Sequence, residues 1–325
     1  MAGAESMLRP YGKCALWILV WLLTRALIIA QVGFWLPAGP EYQDVNSYEG
    51  WSSWIANTHI LPQEDTWQYP PGAAFLMLIP RIGGGSYGIS FVVLMLVFDL
   101  VGFWLMTRLA REEQRDTGVW IWLLAMPLLF FLPVLRFDLA PTVIAVAALV
   151  VMHRRPHWFG ALAGLGGMLK VWPIFVLFGE WDRKRLLRSA GAAMAVIALI
   201  FATSEIAFSG SFRFLTNQGD RGLQIEAVAA TPWEMRQVIT GKEPPIAQRF
   251  GTNEIASGLA DNVGKALDFV ALAIFGIAAF WWWQRDASIA IGLAVWRSGS
   301  APGVTLHQDG SVNSPESYSR TASDV

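Results

Sequence analysis

The run CALWILVWLLTRALIIAQVGFWL, residues 14–36, decides the architecture. It holds 23 residues and one charge, Arg25. At about 1.5 Å of rise per residue, such a helix measures roughly 34 Å, enough to cross a hydrocarbon layer of about 30 Å. Arg9 and Lys13 precede it, as basic residues precede a secretory leader, but a leader's apolar core is usually about 7–15 residues and ends at a small-residue cleavage site. No clear site of that kind follows, so the run is expected to stay as a membrane anchor. Composition points the same way: of 325 residues 54% are hydrophobic and 15% charged, against about 25% charged in soluble domains, and the mean hydropathy is +0.42. The surplus is too large for one globular core. With 24 Lys+Arg against 25 Asp+Glu, no basic excess points to nucleic acid. The single Cys14 excludes an intramolecular disulfide and any cysteine-based metal site.

Six further apolar stretches repeat the pattern: Tyr87–Met106, Val119–Leu135, Leu139–Met152, Trp158–Phe178, Ala190–Phe208 and Phe269–Trp283. The expected fold is all-α, a polytopic transmembrane helical bundle. Lys and Arg close to span ends favour the cytoplasm. Basic clusters at Arg9/Lys13, Arg108/Arg111/Arg115, Arg154/Arg155 and Arg183/Lys184/Arg185/Arg188, with Arg285, are therefore placed inside. The reading is a multi-pass cell-membrane protein with a cytoplasmic N-terminus. Glu41–Tyr69, with five acids and no Lys or Arg, then lies outside, as does the polar stretch from Ser209 to about Lys265.

That path requires Pro156–Trp181 to enter and leave by one face. Its 26 residues are too few for two spans. Two arms of about 12 residues, each about 18 Å, would meet at Lys170 and Pro173. The alternative is one ordinary span that departs from the positive-inside rule. The hairpin is favoured because a mid-segment lysine beside a helix-breaking proline is tolerated where it faces protein or a polar cavity.

The first external loop is expected to carry juxtamembrane helices. Asp44, Tyr48, Trp51 and Ile55 share one helical face, and the apolar segment Pro71–Pro80 is too short to span and is expected against the outer surface. Residues 1–285 are read as one transmembrane domain. In 286–325 a short apolar segment, Ala287–Trp296, leads into a Ser/Gly-rich tail with the composition of disorder.

Several chemistries are missing from the sequence. There is no phosphate-cradling G-x-x-x-x-G-K-[ST], no Asp-x-Asp, and no helical pairing among His59, His153, His157 and His307. Neither a metal nor a cofactor is expected. What remains is a set of charges toward the outer face. Asp44 is either a general base or a plain helix cap. Arg136 and Asp138 either close a turn as a local ion pair or belong to a site. Lys170 caps the hairpin or snorkels to the interface, and Arg221, Gln224 and Glu226 form an ordinary loop by composition. Arg25 and Asp99, near the middle of their spans, are expected to face the bundle interior as structural glue, paired with each other.

In order, Asp44-Val45-Asn46-Ser47-Tyr48, Trp67-Gln68-Tyr69-Pro70-Pro71-Gly72-Ala73, Arg136-Phe137-Asp138, Lys170-Val171-Trp172-Pro173 and Arg221-Gly222-Leu223-Gln224-Ile225-Glu226-Ala227 resemble the membrane-embedded GT-C glycosyltransferases. More narrowly, the chain is similar to the polyprenyl-phosphate-mannose-dependent alpha-mannosyltransferases of actinobacterial envelopes, glycosyltransferase family 87, over roughly residues 14–285. The resemblance implies that Asp44 is the catalytic base and that the donor is a lipid-linked sugar phosphate. It also implies substrate contacts from Tyr48, Tyr69, Arg136, Asp138, Lys170, Arg221, Gln224 and Glu226, and a lipid or lipoglycan acceptor. Relatives usually continue with more membrane helices, so a C-terminally shortened chain is expected. Two other readings use similar outer loops: a glycan ligase with a lipid-linked donor, and a transporter or lipid flippase. The second should show paired broken helices in two related halves, and the break at Lys170 has no evident twin.

Overall fold

A computed structural model describes residues 2–35, 43–62, 67–215, 222–225, 227–249 and 252–267, with isolated helical positions from 269 to 284. The chain divides into two compact units, Met1–Leu267 and Asp268–Val325; everything that follows concerns the first. The expected last span is described only at scattered positions. The boundary at 285, the segment Ala287–Trp296 and the tail lie outside the described residues.

The fold is the expected all-α one. Among the described residues three helices are long and apolar enough to cross a membrane: Gly12–Gly33 within α1 (Ala2–Trp35), α4 (Tyr87–Glu113) and α9 (Arg183–Ala207). Their outward faces carry Leu19, Leu23, Val93, Val97 and Leu199, all half-exposed or more, the surface a lipid environment accepts. Between them lie α5 (Thr117–Leu128), α6 (Leu132–Leu135), α7 (Leu139–Val151) and α8 (Pro156–Leu169).

The expected span Val119–Leu135 is not one helix. α5 stops at Leu128, Phe130 takes a left-handed φ of 53°, and α6 restarts with Pro133 in its first turn. Pro133 has no N–H to continue the ladder of α5, and a first turn is where that donor is not needed.

The bundle has two chemically distinct ends. At one, Lys13 faces Asp116, Arg111 donates to the Cys14 sulfur, Arg154 meets Glu112, and Arg185 donates to the Met152 carbonyl at 2.6 Å. The basic clusters thus gather together. The other end is aromatic and acidic, formed by α2 (Gln43–Thr58), α3 (Gly72–Leu78), the 136–138 segment and the tip of α8. α3 packs against its neighbours through one face: Gly72, Ala73, Ala74, Leu76 and Met77 are buried, and a Cβ on Gly72 would lie 2.5 Å from the Met168 carbonyl oxygen.

The hairpin is present. α8 runs from the basic end to Lys170, and a 3-10 segment, Trp172–Gly179, folds back along it, with Pro173 against Gly166 and Ile174 against Gly167. Gly179 returns to Met152, beside the start of α8. α9 then packs parallel to α8, because Gly160 meets Ser189 and Gly164 meets Ala193, both four residues on. The Gly-x-x-x-Gly spacing lets the two backbones touch; a Cβ on Gly164 would lie 2.6 Å from the Ala193 carbonyl oxygen.

In the middle of the bundle Arg25 and Asp99 pair as expected. Arg25 Nε and Nη2 each donate to Asp99 at 2.7 Å, and the indoles of Trp21 and Trp122 donate to the same carboxylate at 2.7 and 2.9 Å.

A smaller unit follows α9. The hairpin β1 (Ile246–Arg249) and β2 (Thr252–Ile255) extends to residues 223–225, which bond to β2 through Ile225 N–H and Ile255 N–H. Leu223, Ala230, Ile255 and Ala260 form its core, with Trp233 of α10 (Thr231–Thr240) packed against them.

Candidate functional site

Phe137 is the hub of the acidic end. It is 1% exposed, with Tyr69 edge-on at 4.9 Å, Tyr48 edge-on at 5.5 Å, and Lys170 Nζ over its ring at 5.8 Å. The residues on either side of it carry the charges. Arg136 Nε donates to Asp44 Oδ2 at 2.6 Å, and Asp138 Oδ1 accepts from Lys170 Nζ. Arg136 and Asp138 therefore do not close a local ion pair. Each reaches a different element: Arg136 sits in extended conformation, and Asp138 begins α7.

Local structure explains why these charges are available. Asp44 lies in the first turn of α2, where the helix N-terminus favours an anion, and Lys170 follows the last turn of α8, where the C-terminus favours a cation. Asp138 holds the N-cap position of α7 but its side chain makes no cap hydrogen bond. The third helical residue, whose N–H a capping carboxylate commonly takes, is Pro141, which has none. At α9 the corresponding Asp182 does cap, accepting from the N–H groups of Lys184 and Arg185. The Asp138 carboxylate is thus left for Lys170.

Aromatic packing fixes the floor. Tyr48, 3% exposed, stands one turn after Asp44 and packs on Phe91 at 5.4 Å. Trp51, Trp67 and Tyr69 meet edge to face at 5.5 to 5.9 Å. Burial first, then Tyr69 and the carboxylates of Asp44 and Asp138, push the Tyr48 phenol well above its ordinary range. It remains a neutral hydroxyl beside both acids. Above this floor the four charged side chains are 37–45% exposed, so the site is open to a ligand.

The structure brings together Asp44, Tyr48, Tyr69, Arg136, Asp138 and Lys170. Gln224 does not join them through any described contact; it pairs with Glu254 in the small sheet. Arg221 and Glu226 lie outside the described residues. The reading of the sequence missed Phe137 and Trp67, each 1% exposed. The available signal was an aromatic set between two opposite charges in a segment too short to be a span. Among the described residues no group of three or more His, Cys, Asp and Glu is placed to hold a metal ion.

The sequence profile of glycosyltransferase family 87 matches residues 67–297. The match includes Tyr69, Arg136, Asp138, Lys170 and Gln224 and begins after Asp44 and Tyr48. No curated protein matches the chain significantly, and no solved structure does.

Proposed function

Because the chain belongs to glycosyltransferase family 87, we propose that it transfers a hexose, mannose by the resemblance, from a polyprenyl phosphate to a lipid or lipoglycan acceptor at the outer membrane face, with inversion. In this reading the basic end faces the cytoplasm, as the positive-inside rule favours, and the N-terminus with it.

The observation that carries the proposal is the meeting of Asp44 with Arg136, 92 residues away, beside Lys170 and around Phe137. A glycosyl transfer needs those two kinds of group together. The Asp44 carboxylate takes the acceptor hydroxyl proton as that oxygen attacks the anomeric carbon. The bond from the anomeric carbon to the phosphate oxygen breaks, its electron pair stays on the phosphate, and Arg136 and Lys170 stabilise the charge that builds there. One displacement turns a beta-linked donor into an alpha-linked product. Side-chain cations serve a departing monophosphate without an Asp-x-Asp. α3, packed beside the tip of α8, and the Trp-rich rim are suited to hold the polyprenyl chain.

The test is to incubate membranes containing wild type or Asp44→Asn with radiolabelled polyprenyl-phosphate mannose and to extract the lipids. Transfer by wild type and its loss in the variant is the expected result. Equal transfer by both removes Asp44 from the mechanism, and no transfer by wild type removes the donor.

A further inference from the structure

Resting on that transfer reading, we infer that the two outer ion pairs are exchange sites. The carboxylates of Asp138 and Asp44 hold Lys170 and Arg136 before the reaction; the phosphate takes the place of Asp138 as the donor binds and of Asp44 as the phosphate departs. Asp138 is then a positioning residue that holds Lys170 ready, rather than a substrate contact.

Three observations support the exchange. Both pairs are more than a third exposed, and pairs in such surroundings are worth only about 0–1 kcal/mol, so opening them costs little. Each also has one member held in place without its partner: Asp44 by the N-terminus of α2, Lys170 by the C-terminus of α8 and the Phe137 ring. Finally, Asp138 makes no competing cap bond, so its carboxylate leaves Lys170 for water rather than tearing the start of α7.

The charges balance through the reaction. A sugar-linked phosphodiester carries one negative charge, and the departing polyprenyl monophosphate carries up to two. The first is met when phosphate displaces Asp138 from Lys170. The second appears as the bond to the anomeric carbon breaks, and Arg136 meets it by turning from Asp44 to the phosphate. In the same step Asp44 receives the acceptor's proton and no longer needs a counter-ion. The handover of Arg136 thus keeps time with the chemistry, and its effect is larger in the transition state than in the bound donor, which is where it accelerates the reaction.

The test measures binding of polyprenyl monophosphate, the product, to the purified full chain in lipid nanodiscs. Asp138→Asn is expected to bind it roughly twofold to fivefold more tightly than wild type, as removal of a competing counter-ion at a part-exposed site allows, and to lower the donor KM without raising kcat. Adding Lys170→Gln should erase the gain. An Asp138→Asn protein with wild-type Tm and no gain in affinity overturns the proposal. A measurement without variants stands beside it: a zero-length carbodiimide should couple Asp138 to Lys170 in the wild type, read by peptide mass spectrometry, and saturating monophosphate should suppress the coupling. Persistent coupling overturns the exchange. Product binding and carbodiimide coupling do not use sugar transfer, so phosphate effects without transfer from any donor would remove the glycosyl reading alone, and transfer without them would remove the exchange alone.

Discussion

Arg25–Asp99 and Arg136–Asp44 are the same chemical pair in two settings. The first is 3–4% exposed and bidentate, its carboxylate also bonded by two indoles and its guanidinium by the Leu123 carbonyl. The second is joined by one 2.6 Å bond and stands 37–39% exposed. Separating the inner pair would leave each charge in low dielectric. The outer pair is reached by water. Burial, not the identity of the groups, separates an internal strut from a pair that can open.

The sharpest way to break that comparison is Asp44→Asn. If the outer pair works in catalysis, transfer falls by about 10² to 10⁴-fold, the usual contribution of a general base, while the Tm in detergent hardly moves. A large Tm loss with activity per folded molecule retained would make the outer pair a strut as well. Asp99→Asn asks the converse. Leaving Arg25 charged and unmatched in the interior should cost about 3–5 kcal/mol of stability, read as a lower Tm, and Arg25→Gln in the same chain should restore part of it. A smaller loss is expected from Gly164→Val, where the added methyls meet the Ala193 carbonyl; overpacking of this kind costs about 1–3 kcal/mol. It should also displace Lys170 and raise the donor KM. The least effect belongs to Lys13→Ala. Its pair with Asp116 is 68% and 42% exposed, and the change in stability should stay within about 0.5 kcal/mol.

The inner pair was legible in the sequence because a charge in the middle of an apolar run has few ways to survive, and two such charges have one obvious solution. The hairpin was legible for the same reason: Lys170, Pro173 and basic flanks left few paths. The broken helix at Phe130 was not read, since hydropathy sums over Pro127 and Pro133 as though they were ordinary apolar residues. The long-range choices in the site were out of reach. Arg136 and Asp138 look like partners when only spacing is visible, and nothing local says that one reaches Asp44 and the other Lys170. One local sign did exist, the proline three residues after Asp138, which denies its carboxylate the usual cap.

The fold-back of the 3-10 segment after Lys170 has a consequence of parity. Because α8 and the 3-10 segment that returns along it form a hairpin, α9 starts at the basic end and climbs to the opposite one, where the Ser209 carbonyl accepts the N–H of Leu61. A single crossing in place of the fold-back would have reversed α9 and carried Ser209 away from Leu61. Eight residues of tight helix therefore act as a sign bit for the direction of α9, and an insertion that straightened them would invert that helix without touching one charged side chain before it.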